Sequence, residues 1–94
     1  ESNHSYRLKA RFDNVTGLHE RSPIRIAGVN VGRVERIILD SDYRAVVSMS
    51  FDKDLQLPAD SAVKVYTEGL LGGRYLSITV GFDTEQLLKN GGVI

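Results

Sequence analysis

The sequence predicts an all-β domain, a small barrel of seven strands with the last one cut short. Three observations carry that prediction. Apolar and polar residues alternate with a period of two in several separate runs. Turn residues recur at short intervals between those runs. No long stretch repeats with a helical period, and neither an internal repeat nor a low-complexity segment interrupts the pattern.

In the first run Tyr6, Leu8, Ala10 and Phe12 alternate with Arg7, Lys9 and Arg11. One face therefore enters the core and the three cations form an outward face, solvated rather than a docking stripe. Residues 13–17 carry turn residues, and Leu18 pins this loop back on the core. Pro23 suits the first position of a second strand, where its missing N–H does least harm; Ile24 and Ile26 point one way and Arg25 the other. Gly28 and Gly32 frame a tight reversal. A third strand spans residues 33–40, with Val34 and Ile38 on one parity and Ile37 and Leu39 on the other. That switch calls for a bulge near Glu35 and Arg36, or for burial on both faces at the far end. After the turn at Asp40, Ser41 and Asp42 comes the cleanest strand, with Tyr43, Ala45, Val47, Met49 and Phe51 in strict alternation.

Asp52, Lys53 and Asp54 make a solvated turn, since the glycine and distal glutamate of a calcium loop are missing. Leu55 and Leu57 sit in a connector that covers an open end of the barrel. The fifth strand is Ala62–Thr67, and the sixth covers residues 74–80, with Leu76, Ile78 and Val80 on one face. Residues 82–88 form a short helical turn or a wrap. Asn90, Gly91 and Gly92 then turn into Val93 and Ile94, the stub of the seventh strand.

At 94 residues the chain is a single domain. Twelve Lys+Arg against twelve Asp+Glu give a net charge of zero. This argues against a nucleic-acid partner and weakens the case for electrostatic docking on anionic lipid. There is no cysteine, hence no disulfide framework, thiolate zinc site or cysteine nucleophile. The longest apolar run, Ile37-Ile38-Leu39, is far short of a membrane span. The abrupt start at Glu1 and the ending in an opening strand read as a domain excised from a longer chain. The two histidines, His4 and His19, lie in polar segments without an acid and a nucleophile at recognisable spacing, and no hydrolase, zincin or phosphate-loop motif occurs. We expect no enzyme activity, catalytic residue, metal or cofactor.

One stretch resists this plain reading. Gly69-Leu70-Leu71-Gly72-Gly73 joins two clear strands and places adjacent leucines where turns usually carry Asn, Asp, Ser or Gly. Leaving them in water forgoes roughly 1.5–3 kcal/mol each relative to burial. Either the hairpin tip tucks over its own barrel, or Leu70 and Leu71 meet something apolar outside the chain. A lipid or a protein partner would serve, the latter making the domain an interaction module with a leucine hot spot.

Three segments together resemble the MCE domain family, and within it the MlaD-like bacterial members. They are Phe12-Asp13-Asn14-Val15-Thr16-Gly17-Leu18, then Ser22-Pro23-Ile24-Arg25-Ile26-Ala27-Gly28-Val29-Asn30-Val31-Gly32-Arg33-Val34, then Thr67-Glu68-Gly69-Leu70-Leu71-Gly72-Gly73-Arg74-Tyr75-Leu76. Ala27 departs from the pattern, since relatives often have a second glycine there. The resemblance implies a seven-stranded barrel assembling as a homohexameric ring in the periplasm, each chain held in the inner membrane by an N-terminal helix absent from this sequence. It further implies ABC permease and ATPase subunits and a soluble lipid-carrier protein as partners, with phospholipid passed between the inner and outer membranes to maintain outer-membrane lipid asymmetry. Leu70 and Leu71 correspond to the hydrophobic pore contacts, and Gly69, Gly72 and Gly73 to the glycines that let the pore loop turn sharply.

Overall fold

The computed structural model describes residues 6–52 and 55–94. The readings made for His4, Lys53 and Asp54 lie outside those residues. The strands are β1 (Arg7–Phe12), β2 (Pro23–Ile26), β3 (Val29–Leu39), β4 (Ala45–Phe51), β5 (Ala62–Thr67), β6 (Arg74–Thr79) and β7 (Gly92–Val93). They form a single sheet in the order β5-β6-β2-β3-β4-β1-β7. Most neighbours are antiparallel; β2 with β6 and β1 with β7 are parallel. Among the described residues there is no helix.

The sheet curls around one core because its inward positions are the apolar phase of each alternation. Leu8, Ile24, Val34, Val47, Met49, Phe51 and Leu76 are almost wholly buried. β4 reads buried and half-buried in strict turn from Ala45 to Phe51. The sheet is a barrel left unpaired between its end strands, β5 and β7. Residues 55–61, ahead of β5, and the connector from β6 to β7 lie against that core. They pair with each other at Pro58 and Leu87, through Leu88 N–H to the Leu57 carbonyl (2.7 Å) and Ala59 N–H to the Gln86 carbonyl (2.8 Å). Leu57 is buried, and Leu55 and Leu88 pack against the same core. The Tyr6 hydroxyl donates to the Leu88 carbonyl (2.6 Å) from within the core, and its burial pushes the phenol pKa above the ordinary value.

Several local expectations are corrected. The reversal expected between Gly28 and Gly32 lies earlier, at Ala27 and Gly28, whose φ angles of 53° and 81° make a two-residue hairpin turn. β3 consequently starts at Val29. Gly32 is a paired strand residue, and the reason for a glycine there is close approach rather than turning. A Cβ would lie inside contact distance of the Ser50 carbonyl oxygen and 2.9 Å from the Phe51 Cα. Tyr43 is not in β4 but in the preceding turn, 81% exposed with φ 62°. Of the two accounts of the β3 phase switch, the bulge holds. The register against β4 shifts between Val34 and Arg36, turning Ile37 inward and leaving Ile38 exposed. Val80 falls outside β6 and is partly exposed. Residues 82–88 form a wrap with no helical turn.

That wrap starts from a built corner. The Asp60 carboxylate accepts the backbone N–H groups of Phe82 (2.9 Å) and Asp83 (3.1 Å), and Ser61 Oγ accepts that of Gly81 (3.0 Å). The Phe82 N–H, and then that of Asp83, hold the Asp60 carboxyl below the usual carboxylate range. A depressed folded pKa gives stability that is full above the unfolded pKa and is lost as pH falls through the folded one. The melting temperature should therefore drop on acidification below the ordinary Asp range. Asp60→Asn, which no longer titrates, should start lower at neutral pH and drop less. Equal acid sensitivity in both proteins would remove Asp60 from that role.

Candidate functional site

The β5–β6 hairpin ends in the loop flagged by the sequence. Antiparallel pairing runs to Thr67 opposite Arg74, and the Glu68 N–H then closes the loop on the Gly73 carbonyl (2.9 Å). Between them Leu70 and Leu71 are 98% and 99% exposed. The tip therefore does not tuck over its own barrel. Two of the three glycines have a local reason. Gly69 adopts φ 64°, in the left-handed region that a side chain disfavours. At Gly72 a Cβ would overlap the Glu68 carbonyl oxygen. Gly73 has neither constraint, and open space surrounds the position of its Cβ.

This asymmetry is testable. Gly72→Ala should push Gly72 away from Glu68 and break the closing hydrogen bond, whereas Gly73→Ala should leave it intact. Losing a bond worth about 1 kcal/mol should speed exchange of the Glu68 amide by roughly fivefold in the first variant only. Equal protection in both would mean that the loop does not need a bare backbone at Gly72.

Beneath the loop lies a rigid base that sequence reasoning missed. Tyr66 and Tyr75 face each other across the hairpin with ring centroids 5.9 Å apart. Arg25 of β2 lies over the Tyr75 ring, its guanidinium carbon 4.4 Å from the centroid. Arg25 Nη2 also bonds Glu68 Oε1 (2.9 Å), and its Nε donates to Asn30 Oδ1 (3.0 Å). The hydrogen bond to Glu68 leads in raising the Arg25 pKa above its ordinary value. β2 and β3 thereby hold the first residue of the loop through one cation. The signal for this lay in the hairpin register. Pairing Thr67 with Arg74 sets Tyr66 opposite Tyr75, which scattered tyrosines read strand by strand do not reveal. Among the described residues no group of three or more His, Cys, Asp or Glu is placed to hold a metal ion.

The fold and site define a class: a small curled β-domain that presents an apolar loop on a braced hairpin. The comparisons narrow it. A family model described as MlaD protein matches residues 4–81, and the chain belongs to that family. The intermembrane phospholipid transport system binding protein MlaD of Haemophilus influenzae is 42% identical over 94 residues, covering 96% of this chain and 56% of that protein. The protein of the same name in Escherichia coli K12 is 42% identical over 96 residues, covering 96% of this chain and 52% of that one. The chain thus spans about half the length of the curated relatives it matches. Among solved structures, a chain of the Acinetobacter MlaFEDB complex in an ATP-bound conformation superposes with a TM-score of 0.87 at 26% identity. That match covers all of this chain and 74% of the other.

Proposed function

We infer that this chain is the lipid-contacting domain of a phospholipid transport system, with Leu70 and Leu71 as the side chains that meet lipid. One observation carries the reading: two adjacent leucines stand almost fully exposed on a hairpin whose base is braced by Arg25, Glu68 and the tyrosine pair. An unsupported greasy loop would collapse onto the nearest apolar surface; this one is held away from its own core. The relatives' names, which specify phospholipid transport and a binding protein, agree with it.

In this reading the domain assembles as a homohexamer, and the Leu-Leu tips of all copies converge on a central pore. Exposing a lipid tail to water costs about 0.8 kcal/mol per CH₂, so a polar channel could not carry a two-tailed lipid. Converging leucines supply an apolar path and at the same time dry one another. Gly69 and Gly72 let the backbone turn tightly enough for the tips to project; Gly73 completes the loop. The ring lies in the periplasm, anchored in the inner membrane by an N-terminal helix. It works with ABC permease and ATPase subunits and exchanges phospholipid with a soluble periplasmic carrier, maintaining outer-membrane asymmetry.

A photo-crosslinking residue at position 70 of the full-length protein tests the reading directly. Phospholipid adducts in the mass spectrum are the expected result. Adducts with protein alone would replace it with the interaction-module alternative.

A further inference from the structure

The loop that follows β1 is pinned at several points. Asn14 Oδ1 accepts the Thr16 N–H (2.8 Å) and the Thr16 hydroxyl (2.6 Å), and the Leu18 N–H donates to the Val15 carbonyl (2.9 Å). Leu18 is buried and Val15 packs against the core. Between them Gly17, with φ 87°, presents bare backbone. The side chain of Arg74 lies across that backbone. A Cβ on Gly17 would stand 3.2 Å from Arg74 Cδ and 3.3 Å from its Nε. A side chain at Gly17 would therefore be strained by its φ and would press on Arg74 as well. The glycine of this loop makes room for an arginine.

Arg74 opens β6 opposite Thr67 and directly follows Gly73, whose carbonyl closes the apolar loop. It continues the phase of the buried Leu76 and Ile78 and is half-buried itself. Its side chain is thus held against the protein at the root of the loop. Leu71 is three residues away in the chain, a span of at most about 11 Å. The arginines at this root differ in one respect. Arg25 is occupied by Glu68, Asn30 and the Tyr75 ring. Arg74 has no carboxylate within ion-pair distance among the described residues. β1 and β3 end, and β2, β4 and β6 begin, at this end of the barrel. Of its other acids, Asp40 and Asp13 are taken by Arg11 (3.6 Å) and Arg44 (3.4 Å). Glu20 and Asp42 come within ion-pair distance of no described cation, Arg74 included.

We propose that Arg74, seated on Gly17, takes the phosphate of the phospholipid whose tails meet Leu70 and Leu71. The loop and its root then form one site, apolar at the tip and cationic at the base. The inference rests on the proposed function and adds the headgroup contact to it. A guanidinium holds a phosphodiester by paired, charge-assisted hydrogen bonds. Leucines alone cannot distinguish a phospholipid from a neutral lipid with the same tails, because the hydrocarbon is identical in both. An unpaired cation at the root of the loop supplies that distinction. The brace on the other side of the hairpin cannot, since Glu68 already neutralises Arg25.

The test uses the full-length protein with the photo-crosslinking residue at position 70, titrated separately with phosphatidylglycerol and with diacylglycerol of the same tails, which lacks the phosphate. The readout is the lipid concentration that gives half the maximal adduct. Arg74→Gln, which keeps much of the stem over Gly17, should raise that concentration by about tenfold or more for phosphatidylglycerol and leave it unchanged for diacylglycerol. Arg74→Lys keeps the charge without the fork and should fall between wild type and the glutamine variant. Gly17→Ala disturbs the seat without touching the charge, and it too should weaken the phosphatidylglycerol adduct and spare the other. An equal shift for both lipids overturns the proposal, since Arg74 would then only support the loop. So does an unchanged titration in Arg74→Gln. Adducts with both lipids that are indifferent to Arg74 would strike the headgroup contact and leave the proposed function standing, whereas a wild-type protein that yields no lipid adduct would remove that function itself.

Discussion

Replacing Leu70 and Leu71 together by aspartate should leave the domain folded and abolish phospholipid transfer. The first half follows from exposure. Neither side chain contributes burial to the protomer, and surface changes of this kind usually stay within about 0.5 kcal/mol. The new carboxylates would be hydrated and would leave the Glu68–Gly73 closure and the Arg25 brace untouched. The second half follows from the proposed convergence of the tips. In an assembled pore each tip would place charge where tails must pass, and burying an unpaired carboxylate beside hydrocarbon costs several kcal/mol. Tail transfer, favourable at about 0.8 kcal/mol per CH₂ in an apolar path, would lose its partner surface. Leu70→Ala with Leu71→Ala should give an intermediate rate, since apolar character is reduced without adding charge. Fluorescent-lipid transfer by the reconstituted full-length protein reads out all three. Wild-type rates in the aspartate pair, with the fold intact, would end the lipid-contact reading.

Much of this architecture was legible because the period-two signal is local. β5 was bounded correctly from Val63, Val65 and Thr67 alternating with Lys64 and Tyr66, and β2 from Pro23 onward. The β3 bulge announced itself as a change of parity between Val34 and Ile37. The misplacements have causes that alternation along a strand does not carry. Tyr43 continues the apolar phase of β4, yet the Asp40 carboxylate gathers the N–H groups of Asp42 (2.8 Å) and Arg44 (3.0 Å) and turns the chain there first. Gly32 looked like punctuation because glycine in sequence carries two meanings, a free φ and an absent Cβ, and only the neighbouring strand decides between them.

The site divides along the same line. Leu70 and Leu71 could be found from the strangeness of leucine in a turn. Arg25 could not be, because it lies 43 residues from Glu68 in the chain and reads as an ordinary outward-facing charge on a short strand. What makes it a support is the parallel pairing of β2 with β6, which sets Arg25 beside Ser77 and within reach of the hairpin. Parallel pairings join distant segments, so periodicity along one strand is silent about them.

The largest stability loss should come from the residue whose role was misread. Gly32 sits between β2 and β4, paired with Ile24 on one side and Phe51 on the other. A methyl group there cannot be relieved by rotating a side chain, because what it meets is backbone: the Ser50 carbonyl and the Phe51 Cα. β3 and β4 would have to separate locally, loosening a ladder that also positions the fully buried Phe51 and Ile24. Overpacking against yielding side chains costs about 1–3 kcal/mol, and an unyielding backbone contact belongs at or above the top of that range. Gly32→Ala should therefore cost about 3 kcal/mol, which for a domain of this size lowers the melting temperature by more than about 10 °C. Gly28→Ala makes the informative comparison. Its φ of 81° is strained for alanine, but its Cβ would meet nothing, so the cost should stay near the 1 kcal/mol expected of a left-handed residue. If the two variants melted together, conformational freedom would explain both glycines, and close packing of β3 on β4 would not be what the sequence protects at Gly32.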